Sequence, residues 1–191
     1  MTVKFTENWY PAHQLAKLGI LAHSTRGLVG IAMEFGVWEG RSTFTIASAL
    51  APQMLYAVDT WRGNTGEGPE HPTITLLQQR DVRQQFLDNQ AALGVTNLLI
   101  VQEDCNTWLA REIGTRMTAC GVAPFVRFAH VDASHDYSSV LASLLLLQPQ
   151  MVRGGVLCGD DFQNAPGVRQ AVLEVCGAPQ TLDNLWWVIA S

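Results

Sequence analysis

The chain has 191 residues, 48% of them hydrophobic, enough for one well-packed core and short for two ordinary domains. Its formal net charge is −5 and its 12 Lys and Arg are scattered, which disfavours the clustered basic surface that nucleic-acid binding requires. It has no run of about twenty apolar residues and no basic-then-apolar N-terminal pattern, so no membrane partner and a cytoplasmic location are expected.

Residues 1–27 read as an N-terminal helical segment. Leu15, Leu18, Ile20 and Leu21 recur at helix-like spacing between Pro11 and Thr25, as for a helix covering one edge of a core. From Val29 onward strands alternate with helices. Strands are expected at 30–35, 54–58, 97–102, 126–131 and 154–159, and helices at 42–51, 75–93, 106–116, 137–151 and 166–176. The strands are near-continuous apolar runs, so the fold class is α/β: one domain, residues 1–191, with a mostly parallel sheet covered by helices on both faces. A last strand, Leu185 to Ala190, follows the turn-forming pair Asp183-Asn184 and is expected to form an antiparallel hairpin with Gln180 to Leu182. The four cysteines (Cys105, Cys120, Cys158, Cys176) lie far apart and form no C-x-x-C pair, as expected of reduced structural thiols.

The stretch from Met33 to Ser42 carries the chemistry. It runs from the first strand through Gly36 and Gly40 into a helix start, the place where an α/β protein holds a nucleotide-like ligand. The second strand ends about twenty residues on in Asp59, where an acid can accept hydrogen bonds from a ribose diol. A dinucleotide fingerprint needs a middle glycine for the pyrophosphate. Val37 and Trp38 fill that place, which argues against NAD and suits a ligand with adenosine but no phosphate. Further on, Arg62 to Pro72 has glycines and prolines and no periodicity; it is either a lid or an ordinary surface loop.

The loop Glu34-Phe35-Gly36-Val37-Trp38-Glu39-Gly40 resembles the acidic-x-Gly-x-x-x-Gly loop of class I S-adenosylmethionine (SAM)-dependent methyltransferases. Val131-Asp132-Ala133-Ser134-His135-Asp136-Tyr137 and Gly154 to Phe162, with Asp160-Asp161, resemble the branch of metal-dependent, macrocin-type O-methyltransferases of sugars and natural products. The resemblance runs from about Leu28 to the C-terminus. It implies a Rossmann-like, mostly parallel seven-stranded sheet closed by the C-terminal hairpin, SAM as cofactor and a small-molecule acceptor. A homo-oligomer is left open.

On that resemblance, Glu34 accepts a bond from the methionine ammonium, directly or through water, and Gly36 and Gly40 free the loop backbone. Asp59 holds the ribose. Trp38, with Trp61, flanks the adenosine or the acceptor. Ser42 belongs to the cofactor set, although Ser42 or Thr43 can equally cap the helix, and Asp104 either reaches the adenine edge or caps the next helix. The implied strand order makes the fourth and fifth strands neighbours, so Asp132, Asp160 and Asp161 converge. Three like charges need a cation or a proton, and oxygen ligands suit Mg²⁺ or Ca²⁺; otherwise Asp132 sits near the sulfonium and Asp161 caps a loop. Catalysis is assigned to Asp132 and to His135, the candidate base, with Asp136 its rival. His130, inside an apolar strand, reads as a core residue. The rival functions are a metal-independent methyltransferase on another acceptor atom and a SAM-binding regulatory module without turnover.

Overall fold

Apolar runs buried on both faces need helices on both sides of the sheet, and the chain supplies them. The computed structural model describes residues 2–63, 72–120 and 124–191. The parallel strands are β1 (Ile31–Phe35), β2 (Leu55–Asp59), β3 (Leu98–Gln102), β4 (Val126–Val131) and β5 (Met151–Gly159). With β6 (Gln180–Leu182) and β7 (Leu185–Ile189) they form one sheet in the order β3-β2-β1-β4-β5-β7-β6, with β7 antiparallel to both of its neighbours. This is the Rossmann-like sheet with the expected C-terminal hairpin. Its turn residue Asp183 adopts φ 53°, a conformation that Asp tolerates better than most side chains.

The helices are α1 (Ala12–Ser24), α2 (Arg41–Leu50), α3 (Pro72–Gln79), α4 (Val82–Leu93), α5 (Cys105–Cys120), α6 (Tyr137–Leu147) and α7 (Pro166–Cys176). Two differ from expectation. The single helix expected over 75–93 is broken into α3 and α4, because Asp81 leaves helical geometry (ψ 91°) and caps α4 by accepting the Gln84 N–H at 2.8 Å. The helix expected to reach 151 stops at Leu147, followed by a 3₁₀ turn over Gln148–Gln150, and β5 begins at Met151. Most of the expected lid or surface loop, residues 64–71, lies outside the described residues.

Two apolar layers sandwich the sheet. One holds Leu18, Phe44, Ile46, Leu50 and Phe86 from α1, α2 and α4; the other holds Trp108, Leu109, Val140, Leu144 and Val172 from α5, α6 and α7. Each such side chain contributes about 1.5–3 kcal/mol on burial. Cys105, Cys158 and Cys176 are free thiols, and Cys158 is fully buried within β5. Among the described residues, no helix is long and apolar enough to cross a membrane.

After β1 the chain builds outward to β2 and β3, then crosses back to β4 on the other side of β1. A sheet that reverses in this way opens a crevice beyond the C-terminal ends of its central strands.

Candidate active site

Strand register brings the site together. Phe35 pairs with Val58 and Val131, and Val131 pairs with Gly159, so the central strands end level. Gly36, Asp59, Asp132 and Asp160 are the residues at or just past those ends. They line a cleft of about 370 Å³, walled by Trp9, Tyr10, Trp38, Trp61 and His135. A smaller recess of about 60 Å³ adjoins it, lined by Asp59, Asp104, Asn106 and Ser143 among others.

The glycine loop is shaped by the protein's own packing. Gly36 has φ 79°, and a Cβ there would lie 2.1 Å from the Asp132 carbonyl oxygen; at Gly40 (φ 90°) a Cβ would strike the Phe44 ring at 2.3 Å. Trp38 and Trp61 adopt φ 49° and 50°, a left-handed conformation costing roughly 1–2 kcal/mol per non-glycine residue. Asp59 stabilises both turns. Its Oδ2 accepts the Val37 and Trp38 N–H groups at 2.8 and 3.0 Å, its Oδ1 accepts the Trp61 N–H at 2.7 Å, and the Trp61 indole donates to the Trp38 carbonyl at 3.0 Å. Burial raises the Asp59 pKa, while these backbone bonds oppose the rise. Asp59 therefore spends three acceptor sites on backbone N–H groups, two in the glycine loop and one at Trp61, which leaves one lone pair able to accept a further hydrogen bond.

The other expected cofactor residues divide. Ser42 is nearly buried, lines the cleft and lies in the first turn of α2, but neither it nor Thr43 caps the helix: Gly40 holds the N-cap position and no side chain bonds there. Asp104 caps α5 through its Oδ1, which accepts the Thr107 N–H at 2.8 Å, and it also lines the small recess. Glu34 is fully buried within β1, and its Oε1 lies 3.0 Å from His130 Nδ1. Any hold it has on a methionine ammonium must pass through another group. The Trp38 Nε1 has no hydrogen-bond partner among the described residues. A glycine cradle, a spare donor and a recess beside Asp59 and Asp104 suit an adenosine-bearing cofactor.

At the acidic rim, donor atoms of Asp132, His135 and Asp161 lie within 4.8 Å of one another. His135 Nε2 is 2.9 Å from Asp161 Oδ2, and Asp161 adopts φ 62°. Asp160, expected as the third ligand, is outside this tight group. It lines the same cleft, is 6% exposed, and its Oδ1 is buried with no hydrogen-bond partner among the described residues. Burial, then the neighbouring Asp161, pushes the Asp160 pKa up to about 6; burial, then Asp160 and Asp161, also raises that of Asp132. An under-neutralised, oxygen-rich donor set with an orphaned buried oxygen fits a divalent cation.

Asp136, the rival base, is otherwise occupied. It caps α6, accepting from Ser139 N–H at 2.9 Å and from the Ser134 and Ser138 hydroxyls at 2.7 and 2.6 Å. Burial alone would raise its pKa, but these bonds hold the carboxyl well below the usual range, which makes it a poor proton acceptor. His130 is the buried core residue expected, bonded to Glu34 on one nitrogen and within 3.0 Å of the Tyr10 hydroxyl on the other.

Trp9 and Tyr10 had no sequence signal. They reach the cleft because the N-terminal segment is tied to the glycine loop: Glu39, 2% exposed, accepts the Thr6 N–H at 2.7 Å and is ion-paired with Arg80, and Arg41 donates to the Glu7 carbonyl at 3.2 Å. The Trp9 and Trp38 rings then lie 5.4 Å apart.

The profile of one protein family, described as a methyltransferase domain, matches residues 33–162. Among solved structures, the TDP-rhamnose 3′-O-methyltransferase CalS11 of calicheamicin biosynthesis is 21% identical, with TM-score 0.63 over 94% of this chain and 81% of its own. The O-methyltransferase NovP is 17% identical, with TM-score 0.66 over 93% and 79%. A Streptococcus mutans protein solved in complex with SAH is 14% identical, with TM-score 0.53 over 89% and 94%. No curated protein sequence matches significantly.

Proposed function

The chain belongs to the methyltransferase-domain family and has the class I SAM-dependent methyltransferase fold, and from that premise we propose that it moves a methyl group from SAM to a hydroxyl of a sugar or other small natural product, assisted by a divalent ion. The observation that carries this reading is the convergence of Asp132, His135 and Asp161 at one rim of the cleft whose other rim is the glycine loop with Asp59. The scattered basic residues favour a small acceptor over nucleic acid.

SAM, when bound, supplies an electrophilic methyl group on a sulfonium. Gly36, Trp38, Ser42 and Asp59 line the half of the cleft that would hold it, Gly40 supports the loop behind them, and Asp104 lines the adjoining recess that would take the adenine edge. Asp132 and Asp161, with Asp160 adjoining, would hold Mg²⁺ or a similar ion, whose charge lowers the pKa of an acceptor hydroxyl. His135 removes the hydroxyl proton. His135 Nε2 lies 2.9 Å from Asp161 Oδ2, so the Asp161 carboxylate stands where it would stabilise the imidazolium that results. The aromatic walls, Trp9, Trp38 and Trp61, exclude water and offer flat faces to a ring.

A second reading has a specific observation in its favour. His135 Nε2 lies 2.9 Å from Asp161 Oδ2, a contact that supports a histidine–carboxylate base acting without an ion. Transfer of labelled methyl from SAM to a panel of sugar nucleotides, glycosides and phenols, with and without EDTA, separates the readings. Label in hydroxylated acceptors that EDTA abolishes and Mg²⁺ restores supports the ion-assisted enzyme; label that EDTA leaves intact supports the ion-free one. SAH binding with no labelled product from any acceptor would indicate a binding module.

A further inference from the structure

The cleft is backed by a buried polar chain that the methyl-transfer chemistry above does not use. Tyr10, 5% exposed, places its hydroxyl 3.1 Å from Asp132 Oδ2 and 3.0 Å from His130 Nε2. His130 is fully buried, and its Nδ1 lies 3.0 Å from Oε1 of the equally buried Glu34. A phenol has one proton to give. If Tyr10 donates it to the Asp132 carboxylate, the Tyr10 oxygen must accept, so His130 Nε2 carries hydrogen and points it at that oxygen. One more proton then lies between His130 Nδ1 and Glu34 Oε1, whichever atom bears it. With that donation, the bonds from His130 through Tyr10 to Asp132 all run toward the acidic rim, and both rings are buried.

We infer that Tyr10 is a positioning residue for the acidic rim: its hydroxyl, fixed by His130 and Glu34, sets the rotamer of the Asp132 carboxylate and so the geometry in which Asp132 meets a divalent ion. The inference rests on the ion-assisted reading. It also gives a role to an otherwise costly arrangement, because three buried polar side chains in a row, Glu34, His130 and Tyr10, lead to the half-buried Asp132, and such groups are tolerated inside a protein when they bond to one another. A carboxylate whose outer partner is removed keeps its charge but loses its direction, and such outer partners are typically worth 10–100-fold in metal affinity.

The test is titration of Mn²⁺ into the metal-free full chain, without SAM or acceptor, followed by calorimetry and by the Mn²⁺ electron paramagnetic resonance signal. Wild type should bind one Mn²⁺ and Asp132→Asn should abolish the binding. Tyr10→Phe, which removes one oxygen and keeps the ring, should weaken Mn²⁺ by about 10–100-fold while SAH affinity stays within about twofold of wild type. His130→Asn leaves Tyr10 in place but frees its hydroxyl, and should weaken Mn²⁺ in the same direction; it keeps the question answerable if Tyr10→Phe proves unstable. Asp132-dependent Mn²⁺ binding that neither variant changes overturns the positioning role alone. Absence of Mn²⁺ binding in wild type overturns the ion reading, and this inference with it.

Discussion

The Asp59 carboxylate accepts the Trp38 backbone N–H at 3.0 Å, tying the end of β2 to the strained centre of the glycine loop. The acid assigned to the ribose is therefore also the brace of the cleft. Asp59→Ala strands three backbone donors, and a stranded buried donor costs about 1–3 kcal/mol. Thermal unfolding should show the loss, and calorimetry should show SAH affinity down at least tenfold, about 1.4 kcal/mol. Unchanged stability together with unchanged SAH affinity would remove Asp59 from both roles.

His135 and Asp136 should separate cleanly as variants. His135→Ala is expected to lower kcat by about two to four orders of magnitude with SAH affinity nearly unchanged. Asp136→Ala deletes the α6 cap and should cost about 1 kcal/mol of stability with kcat reduced far less. Near-normal turnover in His135→Ala would end its assignment as the base.

The acidic rim makes the metal-free protein sensitive to pH. The Asp160 pKa in the folded chain, about 6, lies above the ordinary carboxylate value. The folded state therefore binds that proton more tightly than the unfolded state does. The stabilisation from protonated Asp160 is complete below about pH 4 and is lost as pH rises through about 6; Asp132, also raised, acts in the same direction. In EDTA, the melting temperature contributed by this rim should fall between pH 4 and 7, and Asp160→Asn should flatten the slope. A slope identical in Asp160→Asn and wild type contradicts the assignment.

Added Mg²⁺ or Mn²⁺ should reverse that loss at pH 7, because an ion that binds only the folded chain stabilises it by mass action. The increment is about 2.7 kcal/mol at a hundredfold excess over Kd. It should vanish in Asp161→Asn. A melting temperature indifferent to either ion at millimolar concentration argues for the ion-free base pair.

Much of this was legible in the sequence because its signals are local. The strand–glycine–helix passage at Met33 to Ser42, the acid ending β2 and the Asp183-Asn184 turn each need only neighbouring residues to declare themselves. The break at Asp81 hid inside a continuous helical pattern, since capping by one side chain outweighs periodicity there. The bond from Glu34 to His130 could not be read locally: the place of Glu34 before a glycine turn suggests a cofactor acid, while its partner lies 96 residues away. Tyr10 was invisible. Its contacts to His130 and Asp132 span 120 and 122 residues, and nothing in Trp9-Tyr10-Pro11 announces them.

Those spans have a consequence for how the protein comes into being. Tyr10 precedes every strand of the sheet, yet the side chains it touches come from β4 and the residue after it, and the α1 residue Gln14 donates to the Leu182 carbonyl 168 residues later. Contacts of such separation form slowly, because long loops must close before they are rewarded. The back wall of the cleft therefore waits for β4, and the bond that holds α1 waits for the C-terminal hairpin. A nascent chain halted before residue 180 could already own its glycine loop and still lack the clasp on α1. Tyr10 in its final place is a sign that β4 has already joined the sheet.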